Sequence, residues 1–256
     1  MIYNWQTLTV PMLCTIAERD PVAILVLGAI EQHGTHLPLG TDLIIGEGLA
    51  AAMREQLDPA LDVIFLPTIA VGASAEHTNF PGTLSLPAPL AISTLEAYGE
   101  SVARAGIKRL VLINSHGGNK AIMDLAALTL RQRFDMRVVK ATYTRLPALE
   151  DAIAADELRY GLHGGLLETA MVQYLAPAAV NLESYQSAPL GTLSENQLVG
   201  PEGAAAFAWL AEDLSRHGVA GDARQATPAL GKRLVQHYAT QLTTVVTETA
   251  KLPVLS

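Results

Sequence analysis

Residues Val22–Leu27 (VAILVL) are apolar at every position. A strand with one wet face would alternate, so an unbroken run this short predicts a strand buried on both faces, as in a parallel sheet covered by helices. Arg109–Ile113 (RLVLI) predicts a second buried strand, and residues 63–66 and 136–142 two more. Helical patterns fill the gaps over residues 41–57, 89–105 and 121–134. This strand, loop, helix, strand order predicts an α/β fold with parallel pairing and helices on both faces.

The rest of the chain reads less sharply. A short helix is expected after Thr9 with Pro11 in its first turn. Further helices are expected over 147–159, near 204–216 and over 228–249, and His163–Leu175 reads as a turn passing into a helix. Residues 181–203 are polar and carry Gly and Pro, which predicts a surface excursion or subunit contact. With 256 residues and no internal repeat, the expectation is a single domain over 1–256.

Composition removes several classes of function. Half the residues are hydrophobic and 16% charged, against a usual ~25%, which predicts a large core and apolar surface shared between subunits. A net charge of −8 with no Lys/Arg run argues against nucleic acid, since phosphate binding needs a basic patch. Cys14 is the only cysteine, so neither a disulfide framework nor a Cys-based zinc site can form within the chain. The N-terminus lacks the basic-then-apolar pattern of a signal peptide, and no apolar stretch approaches the ~20 residues that span a bilayer. A soluble, cytoplasmic protein with no membrane partner is expected.

Chemistry is concentrated in Leu27–Asp42 (LGAIEQHGTHLPLGTD), directly after the first apolar run. It places Glu31, His33, His36 and Asp42 in one loop at the carboxyl end of a strand, where open α/β sheets bind ligands. Side chains alternate in an extended segment, so Glu31 and His33 point one way and Gln32 the other. Asp42 opens the next helix, with Thr41 as its expected cap, and the helix dipole is expected to keep the Asp42 carboxylate ionised. Carboxylate plus imidazole ligands suit a divalent metal; the bland alternative is a solvated polar loop.

Five of the seven histidines lie in four loop segments: His33, His36, His77, His116 and His163. One histidine alone is more often structural, but a cluster of His, Asp and Glu points to a metal or catalytic site. His116 sits in the turn NSHGGNK, whose glycines can bring backbone N–H groups up to a ligand; an ordinary turn needing Gly is the alternative. Ser115 lacks the Gly-x-Ser-x-Gly elbow of a nucleophile. His163 and Glu168 can face one site only if His163 lies in a turn and Glu168 within the helix. Glu168 stands among Leu166, Leu167, Ala170 and Met171, and a buried carboxylate there needs a cation or a proton.

The segments GAIEQHGTHLPLGTD, SAEHTNFPGTLSL, NSHGGN and HGGLLETAM, in this order and spacing, resemble the creatininase (creatinine amidohydrolase) family, as does HGVAGDARQATPALGKRL near the end. The resemblance covers most of the chain. It implies a three-layer α/β/α sandwich, two divalent metal ions per subunit (Zn, Mn or Fe) and a hexamer. It further implies hydrolysis of non-peptide C–N bonds in small molecules such as cyclic amides and formamides. One branch, in mycofactocin maturation, cleaves a peptide bond instead. Carried over by position, Glu31 and His116 resemble ligands of one metal, His33 a ligand of the other, and Asp42 the bridge.

The sequence departs from creatininase proper where Gly118 replaces a ligand glutamate. Glu168 is the expected substitute: two divalent ions bring +4, and Glu31, Asp42, Glu168 and one hydroxide balance them. Thr144 and Arg159 stand where creatininase proper has tryptophans over its substrate, which argues against creatinine. Arg159, if it faces the cleft, suits a carboxylate or phosphate. The expected chemistry is amide hydrolysis by metal-activated water, with His163 passing a proton to the leaving nitrogen. N–H groups of the 116–118 turn would hold the oxyanion. Glu76 and His77 would orient substrate or act as a second acid/base. The rivals are a mycofactocin-type peptidase and a metal-binding subunit without catalysis.

Overall fold

A computed structural model of the chain describes residues 1–149, 151–186 and 198–253. The chain opens with a short strand, β1 (Ile2–Asn4), then α1 (Val10–Ala17), β2 (Val22–Leu27), α2 (Thr41–Arg54), β3 (Val63–Phe65), α3 (Ala88–Arg104), β4 (Arg109–Asn114), α4 (Asn119–Phe134) and β5 (Arg137–Thr142). These five strands form one sheet in the order β1-β3-β2-β4-β5, and every pairing is parallel. The six residues of β2 and the six of β4 are all buried, as expected of adjacent interior strands.

After β5 come α5 (Ala155–Tyr160), α6 (Leu166–Leu175), the strand pair β6 (Val199–Gly200) and β7 (Ala205–Ala206), α7 (Ala211–Leu214) and α8 (Pro228–Lys251). Inward side chains sort by the period-two rule of strands. Val22, Ile24 and Val26 of β2 pack on the α2, α6 and α8 face. Ala23, Leu25 and Leu27 pack on the α1, α3 and α4 face. Two apolar layers flanking one parallel sheet make the fold a three-layer α/β/α sandwich.

Strand order decides where a site can form. From β2 the chain moves outward to β3, then crosses back to place β4 on the other side of β2. A crevice opens where the order reverses, outside the carboxyl ends of β2 and β4. The loop after β2 carries Glu31 and His33, and the turn after β4 carries His116.

Several local expectations need correction. β1 pairs through only three residues and leaves no periodic signal. Thr41 does not cap α2: it lies inside the helix after Gly40, its hydroxyl donating to the Pro38 carbonyl at 2.7 Å. Helix over 147–159 is confined to Ala155–Tyr160, because Leu149 and Ile153 reach the core from a turn; residue 150 is outside the description. The expected helix near 204–216 shrinks to Ala211–Leu214, since Ala205–Ala206 pair with Val199–Gly200. The proposed surface excursion over 181–203 falls partly on 187–197, which lie outside the described residues.

The C-terminal helix is the best sealed. The Thr227 hydroxyl accepts the Leu230 N–H at 3.2 Å, and Pro228 occupies the first turn, a combination that favours a helix start. α8 runs against α6 at Gly231, where an added Cβ would lie 1.8 Å from the Ala170 carbonyl oxygen. The glycine is required by this backbone approach. It fixes α6, and with it Glu168, against the sheet.

Candidate metal centre

The three loops at the switch point converge on one cluster. Glu31, His33, Asp42 and His116 are each 1–3% exposed. The Asp42 Oδ2 lies 3.6 Å from His116 Nδ1 and 3.8 Å from His33 Nε2. The Glu31 Oε1 lies 3.3 Å from His116 Nδ1, and the Glu168 Oε2 is 3.9 Å from His33 Nε2. Two groups of ligand atoms, each mutually within 4.8 Å, share Asp42: Glu31 with Asp42 and His116, and His33 with Asp42 and Glu168. A third group joins Glu31, His33 and His163.

Hydrogen bonds from outside the cluster set which ring nitrogen faces inward. His33 donates Nδ1–H to the Glu31 carbonyl at 3.1 Å, leaving the Nε2 lone pair inward. His116 donates Nε2–H to the Ala73 carbonyl at 2.9 Å, leaving Nδ1 inward. His163 donates Nε2–H to the Gln32 carbonyl at 2.6 Å, leaving Nδ1 3.7 Å from Glu31 Oε1. Backbone carbonyls acting this way are the usual orienting partners of metal-binding imidazoles.

The cluster's charge is unresolved by the protein alone. Among the described residues, Glu31 Oε2, His33 Nε2 and Asp42 Oδ2 are buried side-chain atoms without any hydrogen-bond partner. Burial, then the charge of Glu31, pushes Asp42 well above the usual carboxylate range. The helix start therefore does not by itself keep Asp42 ionised, contrary to expectation: desolvation is the larger effect. Burial also opposes charge on Glu31, yet the His116 charge and hydrogen bond hold it well below its ordinary value. Burial works against a proton on His116, but Glu31 and Asp42 outweigh it and push that group up to about 10. Oxygen and imidazole donors with orphaned lone pairs fit divalent metal ions.

Residues 6–246 match the family described as Creatininase: Creatinine amidohydrolase. The chain belongs to the creatininase family. A mycofactocin precursor peptide peptidase of Mycolicibacterium smegmatis is 34% identical over 219 residues, covering 84% of this chain and 79% of that one. The creatinine amidohydrolase of Pseudomonas putida is 28% identical over 193 residues, covering 69% and 73%. A manganese form of creatininase has the same fold, at a TM-score of 0.75 and 23% identity, covering 96% of this chain and 97% of that structure.

Around the cluster, this creatininase-family chain has its own arrangement. Gly118 has no Cβ because one would lie 2.3 Å from the Ala73 carbonyl and 2.5 Å from Glu76 Oε1. Glu76 thus fills the room beside the turn, 3.7 Å from His116 Nε2, and burial raises its pKa. His163 lies just before α6, not in a turn but bridged antiparallel to Ala220 by backbone hydrogen bonds of 3.0 and 2.8 Å, and Glu168 lies in the first turn of α6, where it accepts the Gly164 N–H at 2.6 Å. Both line the same cleft.

His77 is held by Gln32. The Gln32 amide accepts the Gly34 N–H at 2.9 Å and donates to the Gly218 carbonyl at 3.0 Å, which fixes its orientation. Its NH2 therefore donates to His77 Nδ1 at 2.9 Å, and the His77 proton sits on Nε2, 3.4 Å from Glu31 Oε1. Burial, then the neighbouring His163, lowers His77 to about 3, so its ring stays neutral.

Not every loop histidine enters the cluster. His36 turns away, its Nε2 set 3.0 Å from the Thr169 hydroxyl and 3.1 Å from the Gly164 carbonyl. The Ser115 hydroxyl lies 2.7 Å from the Asp42 carbonyl and 3.0 Å from that of Leu27, a tether between α2 and β2. Sequence reading overlooked Gln32, Asn114, Asn119 and Glu157. Asn114 and Asn119 brace the His116 turn: Asn114 donates to the His116 carbonyl at 2.7 Å and Asn119 to the Gly28 carbonyl at 3.0 Å. Glu157 accepts the Leu166 N–H at 2.7 Å and the Asp222 N–H at 3.0 Å, anchoring the segment that presents His163.

The cluster floors a cleft of about 860 Å³. Thr144 and Arg159 both line it, as do Phe207 and Trp209 from the segment after β6. The Trp209 ring stands edge-on to His77, 6.2 Å between centroids. Among the described residues no helix is long and apolar enough to cross a membrane.

Proposed function

We propose that this chain hydrolyses a C–N amide bond with water activated by two divalent metal ions, and that its substrate is a peptide. The observation that carries the reading is the pair of donor groups sharing Asp42 together with the partnerless buried atoms of Glu31, His33 and Asp42. Glu31, Asp42 and His116 would hold one ion, and His33, Asp42 and Glu168 the other. Bound there, divalent cations supply an activated water and polarise the scissile carbonyl.

The chain's own residues would do the rest. His163 offers its bare Nδ1 to the cleft and moves the proton to the leaving nitrogen. His77, neutral and held by Gln32, orients Glu31. Glu76 beside Gly118 positions substrate at the turn, where the Gly117 and Gly118 N–H groups would serve a developing oxyanion; the His116 N–H is taken, donating to Asn114 Oδ1 at 3.1 Å.

Peptide substrates are favoured over the cyclic amides and formamides expected from the family at large. The cleft's 860 Å³ has room for a short peptide, and lies within the roughly 300–1,000 Å³ of ordinary ligand sites. The 34% identity to the M. smegmatis peptidase points the same way. The 28% identity to the P. putida amidohydrolase keeps a small non-peptide amide as the second reading.

Dialysis against a chelator should reduce hydrolysis of short peptides to background, and Zn, Mn or Fe should restore it. Unchanged turnover by rigorously metal-free protein would refute the mechanism. Turnover of lactams and formamides with no peptide cleaved would move the substrate to the second reading. A protein that takes up metal and hydrolyses none of these is the silent metal-binding subunit.

A further inference from the structure

The floor of the cleft is acidic, but its rim is not. In a chain of net charge −8, Lys120, Arg145 and Arg159 all line this one cleft, with Glu202 as the acid among them. The Glu202 carboxylate is seated between two of the cations: Oε1 lies 2.7 Å from Lys120 Nζ and Oε2 2.7 Å from Arg145. These contacts use one donor of each, while an ammonium has three N–H groups and a guanidinium five. Arg159, exposed on α5 with its guanidinium 5.1 Å from the Tyr160 ring centre, has no acidic partner among the described residues. Among Lys120, Arg145, Arg159 and Glu202 the balance is two positive charges, while the other acids of the cleft, Glu31, Asp42, Glu76 and Glu168, stand at or beside the metal cluster. A rim that already seats one carboxylate, with an unpartnered guanidinium lining the same cleft, has the donors to take another.

Resting on the peptide-hydrolase reading, we propose that Arg159, with the spare donors of Arg145 and Lys120, is a receptor for a carboxylate on the substrate. The metal cluster would cut the amide while the rim reads the charge. The carboxylate can be an acidic side chain or the peptide's C-terminus, since a guanidinium pairs with either.

Equilibrium dialysis of the metal-loaded protein against three short-peptide pools of matched length tests this. One pool is neutral and C-terminally amidated, one neutral with a free C-terminus, one Glu-containing and amidated. At least one carboxylate pool should be retained about fivefold over the neutral amidated pool at low salt, and less as salt is added. The better-retained pool names the source of the carboxylate. In Arg159→Gln the ratio should fall to near one, whereas Arg159→Lys, which keeps the charge, should retain part of it. Equal retention of all pools by the parent protein would overturn the receptor, and so would a preference that survives Arg159→Gln. Mass spectrometry of the same samples reads cleavage separately. Charge preference without cleavage defeats the hydrolase reading and leaves the receptor standing; cleavage without preference does the reverse.

Discussion

Asp42→Asn should abolish hydrolysis while leaving the metal-free protein as stable as before, or more so. The carboxylate belongs to both donor groups, so its loss acts on both ions at once. Loss of a single outer partner typically lowers metal affinity or activity about 10–100-fold, and a shared ligand should exceed that, by about a thousandfold or more. The stability arm follows from the sign of the Asp42 shift. Burial and the Glu31 charge raise its folded pKa well above the usual range. The native state therefore holds the proton more tightly than the unfolded chain, and the fold loses stability as pH rises from the unfolded value through the folded one. An uncharged amide escapes that penalty at neutral pH. Activity assays and thermal melts of chelated protein check both arms. A large fall in the chelated protein's melting temperature would make Asp42 a structural residue instead of a ligand.

His163→Gln should lower kcat about 10²–10⁴-fold with metal content at the parent level. The amide can still donate to the Gln32 carbonyl that the ring now holds at 2.6 Å, so the segment keeps its anchor. What disappears is a nitrogen able to take and give up a proton beside Glu31. Because His163 also belongs to a group with Glu31 and His33, elemental analysis decides its role: loss of an ion would make it a ligand and remove the proton-transfer assignment.

How much of this was legible in the sequence varies with how local the cause is. VAILVL and RLVLI read as strands covered on both faces, and they form β2 and β4, adjacent interior strands of the sheet. Their adjacency makes the crevice, so the loops after them were the right place to look for chemistry. The Ala-rich stretches at 147–159 and 204–216 misled, because helix propensity yields to tertiary packing: Leu149 and Ile153 are drawn to the core, and the second stretch pairs as β7. Within the site, Glu31, His33, Asp42, His116 and Glu168 were each visible as residues, and their convergence is a product of strand order. Alternation correctly aimed Gln32 away from Glu31 and His33, yet that is the direction from which it grips His77 and Gly218. Glu157 sits in ADELRY, a surface-like helical sequence. Only its contacts beyond the helix, to Leu166 nine residues on and to Asp222 65 residues on, show its role.

The most direct test of the central claim is to count and locate the metal ions in the purified protein, by elemental analysis and by anomalous scattering from crystals. Two divalent ions per chain are predicted, one against Glu31 and His116, one against His33 and Glu168, with Asp42 touching both. A fully active protein with no ion, or with its ions bound away from Asp42, would contradict the account.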